Sequence, residues 1–427
     1  MKAARPSAFG SLAAAMALGL ALTAPATSSE AAKKPPAAAA ASTPTAADTA
    51  QWTATWAASP EPQRPPLVPL AGQTVRQIAH VAVGGIWVRA RLSNEFGDKP
   101  LTIGAGHLAL AAGAGSAIQQ GTDRVLLFGG RPSITIPPGA SAVSDPVSLT
   151  VPPFSNVAVS LYFPDSVGAV TEHFFGMQTG YVTPRDMTAA VDLPGAATIT
   201  KRVVLSGIDV AANAKTKVVV VLGDQLTGGF GSTVDTNRRW PDFLAQRLAT
   251  RKGGPLSVVN AGIGGNRLLH DFIGPNAMAR FDRDVLAQPN VGYLIVLIGI
   301  NDFGFPGGRN LPQEDVSADD VIAGYKQLIE RAHSHGIRVI GCTMPPFGPI
   351  PERPGYYSDA SASKRIAVNQ WVRSSRAFAG VIDFEMALRD PKDGSRLNPA
   401  FDSGDHLDPN DAGYQAMANA VDMRLFE

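Results

Sequence analysis

Four short segments carry polar side chains of the kinds that enzymes use for acid–base chemistry and hydrogen bonding. They are 223–227 (Gly-Asp-Gln-Leu-Thr), 260–267 (Asn-Ala-Gly-Ile-Gly-Gly-Asn-Arg), 299–302 (Gly-Ile-Asn-Asp) and 402–414, which contains two acidic residues three positions apart, Asp405 and Asp408. Two such carboxylates in a partly desolvated pocket disfavour double ionisation, so that one pKa rises and leaves an acid beside a base. This arrangement predicts a site that activates water or a substrate hydroxyl.

The elements that must position these segments are short apolar runs, each followed by a helical pattern. The runs are Val218–Leu222, Leu256–Val259, Leu294–Ile298, Ile337–Ile340 and Val381–Phe384. Continuous apolar runs of this length indicate strands buried on both faces. The clearest helix begins at Ser317, where Ser317 and Asp320 resemble a capping box, and ends before Gly336. The sequence therefore predicts an α/β fold with a doubly wound five-stranded parallel sheet, whose site lies at the carboxyl ends of the strands.

The chain before this region divides into three parts. Residues 1–26 combine a basic start, an apolar run and an Ala-Pro-Ala pattern, which predicts a secretory signal peptide and a periplasmic or secreted protein without a membrane anchor after cleavage. Residues 27–50 are an Ala/Pro-rich linker. Residues 51–205 alternate apolar and polar side chains and predict a β-sandwich or jelly-roll-like domain. The α/β domain is expected over 215–427.

Composition excludes several classes of function. Lys and Arg number 37 against 36 Asp and Glu, for a formal net charge of +1, so no broad basic field indicates a nucleic-acid partner. The one cysteine, Cys342, cannot form an intramolecular disulfide, and no Cys/His spacing fits a structural zinc site. We expect no cofactor, a small-molecule or oligosaccharide ligand, and leave the oligomeric state open.

In these segments, and in stretches such as 91–97 (Arg-Leu-Ser-Asn-Glu-Phe-Gly) and 238–241 (Arg-Arg-Trp-Pro), the sequence resembles the SGNH/GDSL hydrolases, specifically secreted bacterial members with an N-terminal β-domain. The resemblance implies a flavodoxin-like sheet and an oxyanion hole to which Gly265 and Asn301 contribute. It also implies that Asp405 is the acidic member of a Ser-His-Asp triad.

Two positions depart from the family pattern. The nucleophile position holds Gln225 and the general-base position holds Asp408. A carboxamide cannot act as an activated nucleophile, so the serine acyl-enzyme route is closed. We expect Gln225 to position a water or hydroxyl, Asp408 to take its proton and Asp405 to orient or tune Asp408. Glycine at 228, where this group commonly has an acid, opens space beside Gln225.

The remaining site residues are less constrained by the pattern. Asp224 is a candidate for a separate acid, as are Asp302 and Asp271, although a role as a turn or helix-cap residue is the favoured interpretation of each. Asn266 and His406 are candidates for substrate binding, although His406 can also be an ordinary structural histidine. Two Pro/Gly-rich loops, from Gly304 to Glu314 and from Pro345 to Ala360, either cover the cleft or are simple surface connections.

These residues favour a carbohydrate-active hydrolase, either a glycoside hydrolase or a transglycosylase, that works through carboxylate chemistry. One alternative is a catalytically inactive carbohydrate-binding protein that uses the same cleft. Another is a residual GDSL-type esterase or deacetylase in which water attacks within an intact oxyanion hole. A metal site at Asp405, His406 and Asp408 is a further alternative, although the prediction is that no metal is bound.

Overall fold

The computed structural model describes residues 50–213 and 215–427. The predicted signal peptide and nearly all of the predicted linker lie outside this range. Within the described residues, every helix is too short or too polar to span a bilayer.

The first region is built from antiparallel strands. They are β1 (Trp52–Ala57), β2 (Glu61–Pro62), β3 (Gln73–His80), β4 (Gly85–Ser93), β5 (Leu101–Ile103), β6 (Ala105–Leu110), β7 (Arg124–Val125), β8 (Ile134–Ile136), β9 (Ser141–Val143), β10 (Val147–Val151), β11 (Asn156–Phe163), β12 (Thr171–His173), β13 (Gly180–Pro184), β14 (Ala197–Ile199), β15 (Arg202–Val203) and β16 (Leu205–Ala211).

Two larger sheets enclose the core of this region. One has the order β1-β16-β4-β10, with β9 also paired to β4, and the other has the order β14-β13-β3-β11-β6-β7. Strands β15-β12-β2 and β5-β8 form smaller sheets. In β11 the alternate residues Val157, Val159, Leu161 and Phe163 are buried in the core, as the period of two in the sequence predicts. The antiparallel β-rich region preceding the α/β fold is confirmed.

The second region alternates strands and helices. Its elements are β17 (Val218–Gly223), α1 (Gln225–Gly228), α2 (Trp240–Ala249), β18 (Ser257–Gly262), α3 (Ala277–Phe281), β19 (Val291–Leu297), α4 (Ile300–Gly308), α5 (Ala318–His333), β20 (Arg338–Cys342), α6 (Asp359–Ser374), β21 (Gly380–Ile382), α7 (Phe384–Leu388) and α8 (Asp411–Ala420).

All five strands of this region are parallel, in the order β18-β17-β19-β20-β21. The predicted doubly wound five-stranded sheet is therefore confirmed. Strand β17, which lies between β18 and β19, is buried throughout, because helices cover both faces of the sheet. Helix α5 begins with the predicted capping box: the Ser317 hydroxyl accepts from the Asp320 amide at 3.1 Å, and the Asp320 carboxylate accepts from the Ser317 amide at 2.8 Å.

The expectation of a loop from Gly304 to Glu314 is wrong at its start, because α4 continues to Gly308. The helix persists through Gly304 and Gly307, which sequence reasoning treats as helix breakers. Both glycines instead allow close packing: a Cβ on Gly304 would lie 2.3 Å from the Tyr356 ring, and one on Gly307 would lie 2.2 Å from the Gly355 carbonyl oxygen. Tertiary packing thus outweighs the low helix propensity of glycine.

The two regions are joined by buried hydrogen bonds. The Ser257 hydroxyl on β18 donates to the Ala54 carbonyl on β1 at 2.6 Å. The buried Arg280 guanidinium on α3 donates to the Ser59 hydroxyl at 3.2 Å, and it also binds the carbonyl oxygens of Gly223 and Ala261 at the ends of β17 and β18. The bonds of Arg280 lie at the carboxyl ends of the strands, where the site is expected, whereas that of Ser257 lies at the start of β18.

Candidate active site

Gln225 is placed by the sharp turn between β17 and α1. Asp224 caps the helix, with its carboxylate accepting from the Leu226 amide at 3.0 Å. Burial raises the pKa of Asp224 to about 8, and the neighbouring Asp302 charge contributes in the same direction. Asp224 does not line the cavity described below, so the structure gives this candidate acid a capping position.

The side-chain oxygen of Gln225 lies between two hydrogen-bond donors. It accepts from the Gly265 backbone amide at 3.1 Å and from the Asn301 side-chain amide at 2.8 Å. Gly265 presents its amide from a left-handed conformation with φ of 79°, and a Cβ there would lie 2.5 Å from the Ile273 side chain. The structure therefore brings together Gln225, Gly265 and Asn301, and the carbonyl oxygen of Gln225 occupies the position between the two donors.

Asn301 is held in this orientation by Tyr356, which the sequence analysis did not identify. The buried Tyr356 hydroxyl donates to the side-chain oxygen of Asn301 at 2.9 Å, while the Asn301 amide group also donates to the Asn266 carbonyl at 2.8 Å. Burial raises the pKa of Tyr356 well above its ordinary value, so the phenol stays neutral and remains a donor. Tyr356 lies in the predicted loop from Pro345 to Ala360. No motif or spacing in the sequence predicted its hydrogen bond to Asn301.

The Asn266 side chain has a supporting position behind the site. Its amide group donates to the carbonyl oxygens of Ile273 and Pro275, and its oxygen accepts from Arg280 at 3.0 Å. These contacts fix the loop that carries Gly265. The expectation that the Asn266 side chain contacts substrate is therefore not supported by its placement, since its polar atoms are engaged by protein groups.

Asp408 is fully buried and lines the same cavity as Gln225. Burial raises its pKa well above the ordinary value, and the adjacent Asp405 raises it further by its charge and by a carboxyl–carboxylate hydrogen bond. Asp405 is itself held by the amides of Leu407 and Asp408, at 3.0 and 2.8 Å. The two acids thus form a pair in which the pKa of Asp408 is raised, which is the direction that the spacing of the two residues predicts.

The structure separates His406 from this pair. His406 adopts a left-handed backbone conformation with φ of 63°, and its ring nitrogen lies 2.7 Å from the Asp402 carboxylate. Its side chain is 53% exposed and borders a different cavity, beside Pro349 and Arg396. The structure therefore does not bring His406 together with Gln225, because the left-handed turn directs the imidazole to a different cavity.

The remaining candidate acids are structural. Both carboxylate oxygens of Asp302 accept from backbone amides, those of Leu268 and Leu269, and burial raises its pKa to about 6. Asp271 accepts from the Asn276 amide at 2.7 Å. Among the described residues, no three His, Cys, Asp or Glu side chains converge as metal ligands, so the geometry gives no support to a metal site at Asp405, His406 and Asp408.

The cavity around Gln225 has a volume of about 230 Å³ and is walled by both regions of the chain. Its lining includes Arg64 and Phe175 from the β-rich region, and Arg309 and Arg353, which follow α4 and β20. Asp408 is the only carboxyl group among the described lining residues. An added Cβ at Gly228 would make ordinary van der Waals contacts, the nearest at 3.9 Å to the backbone of Gly262 and Gly264.

Part of the chain is similar to proteins of known family and structure. Residues 221–416 match the model of the GDSL-like Lipase/Acylhydrolase family. No curated protein matches the chain in sequence. Similar solved structures include the M. smegmatis aryl esterase (16% identity, TM-score 0.39, covering 48% of this chain and 96% of that one). They also include a carbohydrate acetylesterase from Sinorhizobium meliloti (14%, TM-score 0.37, 48% and 96%) and a GDSL-like lipase from Bacteroides thetaiotaomicron (18%, TM-score 0.37, 50% and 90%).

Proposed function

Because residues 221–416 form a domain of the GDSL-like lipase/acylhydrolase family, we propose that the cavity at Gln225 binds the carbonyl group of an ester and hydrolyses it with directly activated water. The observation that carries this proposal is the pair of hydrogen bonds to the Gln225 side-chain oxygen, from Gly265 at 3.1 Å and from Asn301 at 2.8 Å. That oxygen is itself a carbonyl oxygen. The same donors at the same distances suit an ester carbonyl and the oxyanion that develops from it.

The substrate carbonyl must displace the Gln225 oxygen before it can reach these donors. With Gly265 and Asn301 freed, the substrate oxygen would receive both hydrogen bonds, in a cavity that the buried Asp408 also lines. Gln225 offers no nucleophile, so no covalent acyl-enzyme forms at this position. The attacking group is therefore water.

The carboxyl pair supplies the proton transfers. As water attacks the ester carbon, Asp408 accepts a proton from that water. At the same time, the proton that Asp408 already shares with Asp405 moves onto Asp405. When the bond between the acyl carbon and the alcohol oxygen breaks, Asp408 donates a proton to the departing oxygen, and the pair again shares a single proton. The products are a carboxylic acid and an alcohol.

This geometry favours an ester over the glycosidic bond that the sequence analysis preferred. Inverting glycosidases need a second carboxyl group across the scissile bond, about 6.5–9.5 Å from the first. The described cavity lining supplies the single carboxyl group of Asp408. Cleavage of a glycoside through the Asp405–Asp408 pair remains the second candidate, since that pair is a suitable base.

The test compares 4-nitrophenyl butyrate with a panel of 4-nitrophenyl glycosides on the purified full chain. Asp408→Asn is isosteric with the protonated acid and should retain the fold, and we expect it to lower ester turnover about a hundredfold or more. The matched control is Asp422→Asn, an exposed acid paired with Arg424, which should leave turnover within about twofold of the parent. Equal ester rates in the parent and Asp408→Asn would refute the proposal. Turnover of glycosides alone would establish the second candidate.

A further inference from the structure

The cavity at Gln225 is bordered by three guanidinium groups, from Arg64, Arg309 and Arg353. They come from three separate segments: the residues after β2, the end of α4 and the loop after β20. Only Arg64 is neutralised by a neighbour, because its side chain donates to the buried Glu61 carboxylate at 2.8 Å. Three positive groups from distant parts of the chain therefore converge on one small space.

Arg309 and Arg353 have no acidic partner within 4 Å among the residues that the structure describes. Arg309 lies over two aromatic rings, 5.4 Å from the centre of Phe305 and 5.9 Å from that of Phe272. Such stacking holds the guanidinium plane without using its N–H donors. Arg353 is half-buried and lies close enough to Asp408 for its charge to act on that carboxyl group. Both arginines thus keep their donors available to a ligand.

Asp408 is the single acid in the described cavity lining, against three guanidinium groups. Its burial beside Asp405 raises its pKa well above the ordinary value, which disfavours its negatively charged form. The Gln225 side chain adds a further donor: its amide nitrogen is buried and has no hydrogen-bond partner among the described residues. A buried donor without a partner costs free energy until a ligand or water satisfies it. The cavity is consequently rich in donors and poor in acceptors.

We propose that the natural ligand of this cavity carries a carboxylate in addition to the ester carbonyl, and that Arg309 and Arg353 bind the carboxylate. This inference rests on the proposed function, since the ester carbonyl is assigned to Gly265 and Asn301. Guanidinium groups match the planar, two-oxygen geometry of a carboxylate, and charge-assisted hydrogen bonds are stronger than neutral ones.

The cavity at Gln225 is small. Its volume of about 230 Å³ lies below the range of about 300–1,000 Å³ that is typical of pockets for drug-sized ligands, so we expect a short acid. A half-ester of a short dicarboxylic acid carries its carbonyl and its carboxylate at opposite ends of a small molecule. The predicted substrate class is therefore the small anionic ester rather than the long-chain lipid.

Turnover of a matched pair of substrates tests this inference. 4-Nitrophenyl hemisuccinate and 4-nitrophenyl butyrate have acyl chains of equal length and differ in the terminal carboxylate. At pH 7.5 and low salt, we expect kcat/KM to favour the hemisuccinate by about tenfold or more. Arg309→Gln and Arg353→Gln should each reduce this preference about tenfold, whereas Arg424→Gln, at an exposed surface ion pair, should keep it.

Binding of unreactive analogues separates this inference from the proposed hydrolysis. Titration calorimetry with succinamate and butyramide measures the same carboxylate preference without a chemical step. Tighter binding of succinamate that Arg353→Gln abolishes would support the inference even if neither ester were hydrolysed, in which case the proposed function alone would fail. Equal affinities for the two amides, or a preference that survives in both arginine variants, would overturn the inference.

Discussion

Replacing Gln225 by alanine tests whether its side chain competes with the ligand for the site. In the structure its oxygen accepts two hydrogen bonds, at 3.1 and 2.8 Å, which a substrate carbonyl must replace. Each such bond contributes about 0.5–1.5 kcal/mol net, so the pair contributes about 1–3 kcal/mol. Removing the competitor should therefore strengthen the binding of a neutral carbonyl ligand about 5- to 150-fold.

The assay is titration calorimetry with butyramide, accompanied by kcat/KM for 4-nitrophenyl butyrate. We expect Gln225→Ala to increase both the affinity and the ester turnover. The same substitution should lower the free energy of unfolding by about 1–3 kcal/mol, because the Gly265 and Asn301 donors lose their protein partner. Urea denaturation measures this cost and shows whether the variant is folded under the conditions of the binding assay.

Gln225→Glu is the matched control. It has the same shape and keeps an acceptor oxygen between the two donors, now with a charge that strengthens both hydrogen bonds. Butyramide should bind to it no better than to the parent chain. If Gln225→Ala gave no increase in affinity while remaining folded, the Gln225 oxygen would not be competing with the ligand, and the reasoning about the donor pair would be refuted.

Three other outcomes follow from the same contacts. The double variant Gln225→Ser, Asp408→His should restore serine catalysis and raise ester turnover at least about a hundredfold. Its introduced hydroxyl should react with a fluorophosphonate, whereas Gln225→Ser alone should stay nearly unlabelled. Burial raises the pKa of Asp224 to about 8, so folding favours its protonated form. The destabilising effect of Asp224 therefore grows as the pH rises from about 4 through 8. The free energy of unfolding in urea should be a few kcal/mol higher for Asp224→Asn than for the parent at pH 9, and nearly the same at pH 4. Tyr356→Phe should weaken butyramide binding about 5- to 10-fold without loss of fold, because the Asn301 amide loses the hydroxyl that orients it; unchanged affinity would contradict that role.

Much of the α/β fold could be predicted from local patterns. The five buried runs, the capping box at Ser317 and the order of the motifs were sufficient to predict the parallel sheet and the strand ends that carry the site. The predicted loop wrongly included the end of helix α4, because the close approach of Gly304 to Tyr356 is a long-range contact. Backbone propensity alone gives no information about such contacts.

The site was predictable where a residue type defines its own chemistry. Gln225 at the nucleophile position excluded an acyl-enzyme, and the spacing of Asp405 and Asp408 predicted a pair with one raised pKa. By contrast, the direction of a side chain in a loop depends on backbone conformation, which is why the sequence alone did not show that His406 and Gln225 line different cavities. No spacing rule links Tyr356 to Asn301, because the two residues meet only after α4 and the loop following β20 have packed together.

The sequence by itself thus determined which chemistry is available: a carboxamide, a carboxyl pair and no activated serine, on an α/β scaffold whose strand ends face one edge. Only the tertiary structure decided how these groups are used. It placed the Gln225 oxygen between Gly265 and Asn301, set Asp408 in a buried pair, and brought Arg309 and Arg353 together on one cavity. Residue type sets acidity and hydrogen-bonding capacity, whereas burial and the convergence of distant segments set which partners each group meets.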